Sequence, residues 1–239
     1  LTIGVLAETN VGMDRVGVRP GEDLVALGRG ISRLPGLRFD GVEFYYGHVN
    51  HSLPNWEELL AGLSGQVARI RDDFIAAGLE ARIISGGSTP LLWDSHRIEG
   101  MNEIRPGTYV FNDVMQVGMG SAAWDDCAVT IMVTVISTAR AGFAIIDGGS
   151  KTFTSDPARS ADATFGRVTE APEIRFYKMN EEHGYIELRG ITEVPKIGDR
   201  FRIIPNHVCV AVNMHEYVYG IRGEEVEHVW KVEGRGKLQ

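Results

Sequence analysis

Two hydrophobic periods divide this chain, and the point where one replaces the other constrains the fold more than any other feature. Up to about residue 111, apolar runs alternate with stripes spaced three and four residues apart. Beyond Asn112, only strand-like runs follow one another. Leu1–Glu8 reads as a buried strand. Leu24, Leu27, Ile31 and Leu34 form one helical stripe, ended by Pro35-Gly36. Phe39–Tyr46 is a second, aromatic strand. Asn55, with Glu58 three places on, predicts a capped helix with core face Leu59, Leu63, Val67, Ile70 and Phe74, ended by Gly78. Ala81–Ser85 reads as a third strand, Pro90–Arg97 as a short helix and Ile104–Phe111 as a fourth strand.

Such alternation predicts βαβ units and a parallel sheet. A closed (β/α)8 barrel takes roughly 250 residues. Residues 1–107 are therefore expected to form an open sheet or the C-terminal part of a TIM-like barrel. Residues 108–239 predict an antiparallel β domain, a barrel or sandwich. Its strands are expected over Cys127–Thr138, Gly142–Ile146, Glu173–Lys178, Tyr185–Arg189, Asp199–Ile204, Val208–Asn213, Glu216–Ile221 and Val226–Val232. The expected class is α/β followed by β.

Charge and composition narrow the partners. A net charge of -8 argues against nucleic acid or an anionic membrane as the main partner. No apolar run reaches the ~18 residues a bilayer requires. Cys127 and Cys209 do not make a disulfide framework, so a reducing, cytoplasmic setting is expected. The chain opens at Leu1 inside an apolar run, which reads as the middle of a longer protein.

Two short motifs carry chemistry. After the third strand come Ser85-Gly86-Gly87-Ser88-Thr89-Pro90. Adjacent glycines let backbone N–H groups turn toward one point, Ser88 and Thr89 add hydroxyl donors, and Pro90 suits the first turn of a helix. This can be a phosphate cup, and it can equally be a plain turn between strand and helix. The second motif is His207-Val208-Cys209. On a strand, positions i and i+2 face one side, about 7 Å apart. An imidazole and a thiolate so placed are two zinc ligands, and the remaining positions would stay open for water or substrate. A core histidine beside a small buried cysteine fits the same spacing.

Taken together, the motifs resemble the D-serine dehydratase / D-threonine aldolase family, pyridoxal 5'-phosphate (PLP) enzymes of the alanine-racemase fold. Gly12-Met13-Asp14-Arg15-Val16-Gly17 resembles the family's G-M-x-R-x-G loop. Gly41–Gly47 with Asn50-His51 resembles its next strand and aromatic loop, and Ser85–Pro90 its phosphate cup. Pro106–Asp113 resembles the crossing into the β domain, and Asp147–Lys151 with Ser155-Asp156 a D-x-G-x-K loop. His207-Val208-Cys209 resembles the metal pair of the dehydratase branch, where aldolase members often carry H-x-D.

The resemblance implies roles. Gly86, Gly87, Ser88 and Thr89 would hold the PLP phosphate. Arg15 would lie near the ring hydroxyl, with Tyr45 and Tyr109 lining the pocket. His207 and Cys209 would bind a divalent metal, zinc first, with manganese or magnesium as alternatives. The implied reaction is a PLP- and metal-dependent elimination on a D-3-hydroxy amino acid, D-serine to pyruvate and ammonia. Retro-aldol cleavage to glycine and an aldehyde, racemisation, and a non-catalytic phosphate-binding partner subunit are the alternatives. A homodimer of the complete enzyme is implied.

One departure is large. The family's Schiff-base lysine lies on the first barrel strand, and Lys151, Lys178, Lys196, Lys231 and Lys237 all fall elsewhere. The Schiff-base lysine is not present in this chain, and Lys151 reads as a surface residue. The front of the barrel is expected on a separate chain or an absent segment. His48 and His51 sit in a strand-end loop, as pocket residues or solvated ones. His96, His183 and His228 read as surface, and His215 could reach the metal pair only through a turn.

Overall fold

Four strands of the first half lie side by side in the order β1-β2-β3-β4, all parallel: β1 (Ile3–Glu8), β2 (Leu37–Glu43), β3 (Ile83–Gly86) and β4 (Glu103–Ile104). A computed structural model describes residues 1–158, 164–191 and 193–237. Two units emerge. One holds Leu1–Tyr109 with Met119–Ser121, the other Val110–Gly118 with Ala122–Gln239.

In the first unit, helices α1 (Glu22–Arg33) and α2 (Trp56–Ala76) cover the apolar face of the sheet. Leu60, Leu63, Val67, Ile70 and Phe74 of α2 are buried, and Phe74 meets Phe39 of β2 at 5.2 Å between ring centres. Fully burying one such side chain stabilises by about 1.5–3 kcal/mol. The predicted helix face is one position off at its start, because Leu60 rather than Leu59 is buried. Asn55 is the N-cap residue, but its side chain makes no capping bond. In α1 the buried stripe is Leu24, Gly28 and Ile31, while Leu27 and Leu34 face solvent. Gly28 is required there: a Cβ would lie 3.0–3.3 Å from the rings of Phe74 and Phe39.

Alternation along β2 turns Arg38 and Asp40 away from the helix-facing Phe39. Both carboxylate oxygens of Asp40 are held by the Arg38 guanidinium, at 2.7 and 2.8 Å, and Arg82 at the start of β3 closes on the same group. The next residue, Gly41, has φ +151, and the β1–β2 register shifts opposite it. A side chain at Gly41 would run into the Ile83 carbonyl of β3.

The predicted fourth strand is the first correction. Only Glu103–Ile104 pairs; Pro106 has no N–H to give, and a 3-10 turn follows over Thr108–Val110. The predicted helix over Pro90–Arg97 is a 3-10 helix, Thr89–Arg97, kinked at Leu91.

In the second unit, six antiparallel strands close into a barrel in the order β10-β5-β6-β9-β8-β7. They are β5 (Ile131–Ser137), β6 (Phe143–Ile146), β7 (Gly166–Val168), β8 (Arg175–Met179), β9 (Gly184–Glu187) and β10 (Arg200–Pro205). Val133, Val135, Ile146, Phe176, Ile186 and Ile203 fill the interior around Phe153. Short helix α3 (Val114–Gly118) precedes the barrel, and a hairpin of β11 (Tyr217–Arg222) and β12 (Glu225–Lys231) follows it. Sequence reading did not anticipate the three-residue β7.

The second correction lies just past β10. Residues 208–213, predicted as a strand, belong to helix α4 (Val208–Met214), with Val208 and Ala211 buried three apart. Among the described residues no helix is long and apolar enough to cross a membrane.

The Asp40 clamp has a pH signature. The Arg38 hydrogen bond, opposed by desolvation and helped by Arg82, holds this carboxyl down at about 2, against about 3.9 in an unfolded chain. A depressed carboxylate adds stability above its unfolded pKa and loses it as pH falls through the folded one. Urea midpoints should therefore drop between about pH 4 and about pH 2. Asp40→Asn should flatten that segment of the curve and lower stability at neutral pH.

Candidate functional site

Each unit contributes one cluster. In the first, β3 ends at Gly86 and the chain passes through Gly87-Ser88 into the 3-10 helix. Both glycines are pinned from behind. A Cβ on Gly86 would lie 2.5 Å from Met101 Sδ and 2.7 Å from the Tyr46 ring. One on Gly87 would lie 2.9 Å from the Cβ and carbonyl oxygen of Arg105. Ser88 and Thr89 are buried, and the Ser88 hydroxyl has no hydrogen-bond partner among the described residues. An enclosed, unpartnered donor beside two backbone-only residues fits a phosphate oxygen, since leaving it unpaired costs about 1–3 kcal/mol.

Arg105 escaped the sequence reading. Its guanidinium binds the Ser85 hydroxyl and the Phe44 carbonyl and lies 3.5 Å from Glu43, while Ser85 donates to Glu103 at 2.5 Å. The signal available was a cation directly after a short strand whose neighbour ends in Gly86.

The loop after β1 is folded on Asn10, whose side-chain oxygen accepts the N–H groups of Gly12 and Asp14 at 2.9 and 3.1 Å. This brings the Arg15 guanidinium 4.5 Å from the Tyr45 ring centre, a cation–π contact between two of the expected site residues. Gly12 lies against His48: a Cβ there would be 3.2 Å from Nε2. His48 Nδ1 is buried without a partner, and burial pushes this imidazole's pKa down. His51 Nε2 pairs with Asp94 at 2.9 Å. Tyr109 lies in the 3-10 turn Thr108–Val110 and is 48 % exposed.

In the second unit, His207 is the N-cap of α4 and Cys209 stands in its first turn. The strand expected to align them is absent, yet Cys209 remains near enough to act on the His207 imidazole and raise its pKa. His207 is extended, φ -136 and ψ 99, and the helix begins at the next residue. The buried Asp113 carboxylate holds this turn, accepting the N–H of Val208 and of Gln116, each at 2.9 Å. Burial pushes the Asp113 pKa up against those bonds. On the imidazole's other side, Nδ1–H donates to Asp156 Oδ2 at 2.8 Å. The Cys209 bond, opposed by burial and aided by Asp156, pushes the His207 pKa up to about 9.

An imidazole with Nδ1 engaged offers Nε2 as a ligating nitrogen, and a thiolate beside it is a second donor, so the pair fits a zinc-like cation. Among the described residues, no group of three or more His, Cys, Asp or Glu could hold a metal ion. Further ligands would have to come from solvent, substrate or elsewhere. Lys151 is bonded to Glu182 at 2.7 Å with both side chains mostly exposed, and no lysine stands in the first 150 residues.

Two family models match. "Alanine racemase, N-terminal domain" covers residues 2–114, and "Putative serine dehydratase domain" covers residues 128–221. The chain is 28% identical over 246 residues to 3-hydroxy-D-aspartate aldolase of Paracoccus denitrificans (strain Pd 1222), covering 98% of this chain and 61% of that one. It is 32% identical over 205 residues to D-threo-3-hydroxyaspartate dehydratase of Delftia sp. (strain HT23), covering 78% and 53%. The crystal structure of D-threonine aldolase from Filomicrobium marinum matches with a TM-score of 0.89 and 28% identity, over 100% of this chain and 65% of that one. The chain thus spans about three-fifths of the length of these relatives.

A metal at the His207–Cys209 pair must displace the imidazole proton. With that proton held to about 9, apparent Zn2+ affinity should rise as pH increases from about 6 to about 9, by up to ~tenfold per unit for each proton released. Calorimetry in buffers of different ionisation enthalpy counts those protons. An affinity independent of pH would place the metal elsewhere.

Proposed function

The chain belongs to the D-serine dehydratase / D-threonine aldolase family of the alanine-racemase fold, and from that premise we propose that it serves a PLP- and metal-dependent lyase acting on D-3-hydroxy amino acids. The observation that supports the metal-dependent reading is the placing of His207 at the N-cap and Cys209 in the first turn of α4, with the imidazole engaged by Asp156 through Nδ1. When bound, PLP supplies an electron sink and the metal a Lewis acid toward the β-hydroxyl of the substrate.

The chain's own residues bind and orient. Gly86 and Gly87 offer backbone, and Ser88 and Thr89 hydroxyls, to the phosphate. Arg15, stacked on Tyr45, presents a fixed positive charge at the rim of the first unit, and Tyr109 lines the pocket. His48, kept neutral by burial, is a candidate to hold or pass a proton at Nε2. His207 and Cys209 would hold the metal, and a thiolate in the pair would favour Zn2+ over Mg2+. The Schiff-base lysine is assigned to residues outside these 239, since every lysine here lies at position 151 or beyond. The first unit is read as the C-terminal part of a (β/α)8 barrel.

Within this class, His207-x-Cys209 favours elimination of D-serine or a related substrate to a keto acid and ammonia. Retro-aldol cleavage is the second reading, favoured by the aldolase relatives. The full-length protein, given D-serine, D-threonine and D-3-hydroxyaspartate, should release ammonia and a keto acid; glycine with an aldehyde would install the second reading. Activity that survives a chelator would point to racemisation instead. Native mass spectrometry with no borohydride-reducible pyridoxyl adduct would leave a phosphate-binding partner subunit.

Ser88→Ala tests the cup. Ser88 Oγ has no protein partner to lose, so thermal stability should hold. Affinity for PLP should fall ~10–100-fold, the worth of one hydrogen bond to a charged group. Unchanged affinity would refute the cup.

A further inference from the structure

Asp156 pairs with His207 although 51 residues separate them in sequence. Two strands of interaction tie the segments together. The Asp156 carboxylate takes the His207 Nδ1 proton at 2.8 Å, and its backbone carbonyl takes the side-chain N–H of the neighbouring Asn206 at 2.9 Å. Asn206 is completely buried, and the same amide donates to Thr164 O at 2.5 Å, so its orientation is fixed. Asp156 is itself held, its N–H donating to Thr154 Oγ1 at 3.1 Å. These bonds anchor the Asp156 backbone beside the ring, and its carboxylate reaches His207 Nδ1 from that fixed point.

Stability does not account for this arrangement. The His207 and Asp156 side chains are 35 % and 48 % exposed. An ion pair that open to water is worth little to folding. The backbone N–H groups that the turn must satisfy are met by Asp113, not by Asp156. What Asp156 does alone is engage Nδ1 and set which way the ring points.

We infer that Asp156 is a positioning residue: it fixes the His207 ring so that Nε2 and Cys209 Sγ present one donor pair, and thereby sets the affinity of that pair for a divalent cation. This rests on the metal reading above. A carboxylate behind a ligating imidazole holds its orientation and raises its basicity, and its loss typically weakens metal binding 10–100-fold.

The test uses the full-length protein with Co2+ as the probe. Asp156→Ala should weaken Co2+ binding about 10–100-fold with an unchanged melting temperature. At saturation it should show the same thiolate-to-cobalt absorption, because both donors remain. Asp156→Asn should fall between, since its Oδ1 can still accept from Nδ1–H without the charge. Equal affinities across the three proteins would overturn the assignment, as would loss of the thiolate band in Asp156→Ala. Proton NMR gives a readout independent of metal. A low-field Nδ1–H resonance of His207, present in the parent and lost in Asp156→Ala, supports the assignment. Its absence from the parent refutes it. A parent that takes up no Co2+ would defeat the metal reading, and the NMR result would then decide the role of Asp156 alone.

Discussion

One buried carboxylate determines the local fold of the second unit's site. Asp113 is fully enclosed, and burial works against its charge. It is retained beside two backbone N–H groups, those of Val208 and Gln116, that would otherwise have no acceptor at the ends of two short helices. Because Val208 N–H is satisfied in this way, the chain can leave β10 at Pro205 and begin a helix within three residues. Without that acceptor the β-branched run after Cys209 would have every local reason to continue as a strand. His207 and Cys209 are then the N-cap and the second residue of one helix, neighbours at a turn rather than along a pleat.

The geometry proposed to take an anion in the first unit arises by the opposite device, an absence of side chains. Gly86 and Gly87 are squeezed between Met101, Tyr46 and the Arg105 backbone. Their hydrogens point into that packing, and nothing larger fits. The strand end is thereby pulled close to β4, and Ser88 is left enclosed but unpaired. The polar face of the sheet continues the theme. Arg38 and Arg82 share Asp40 at one level, and Glu43, Ser85, Glu103 and Arg105 are linked at another. A parallel sheet normally has both faces covered, and this face carries ion pairs in place of an apolar seam.

How much of this was legible follows from which constraints are local. The helix over 56–76 announced itself through a long 3.6-period stripe, and β1 to β3 through apolar runs bounded by turn residues. The strand expected over 104–111 failed at Pro106, a residue that should have demoted it. The strand expected over 208–213 failed because the signal for the helix is not in residues 208–213 at all. It is Asp113, 95 positions upstream. Arg105 was invisible as a site residue, and Asp156 was read only as part of a loop motif, for the same reason: each acts by reaching a partner that only the fold brings near. Glycine pairs and the H-x-C spacing could be read because both depend on neighbours in sequence.

The two clusters differ in how they tolerate change, and that difference follows from their construction. Ser88 owes nothing to its neighbours, so removing its hydroxyl costs the protein no bond of its own. Gly87 is confined by Arg105, so a methyl there must displace the Arg105 backbone, just past β4, before it can affect any ligand. In the second unit the order is reversed. His207 and Cys209 are half-exposed or exposed and cheap to replace, whereas Asp113 behind them is the costly position, since its loss would strand two buried N–H groups at about 1–3 kcal/mol each. Selection on ligand chemistry can therefore act at 88, 207 and 209 with little structural penalty, while 87 and 113 are fixed by packing whatever the ligand. A sequence that changes Cys209 to a carboxylate while keeping Asp113 would preserve the turn and alter only the hardness of the donor pair.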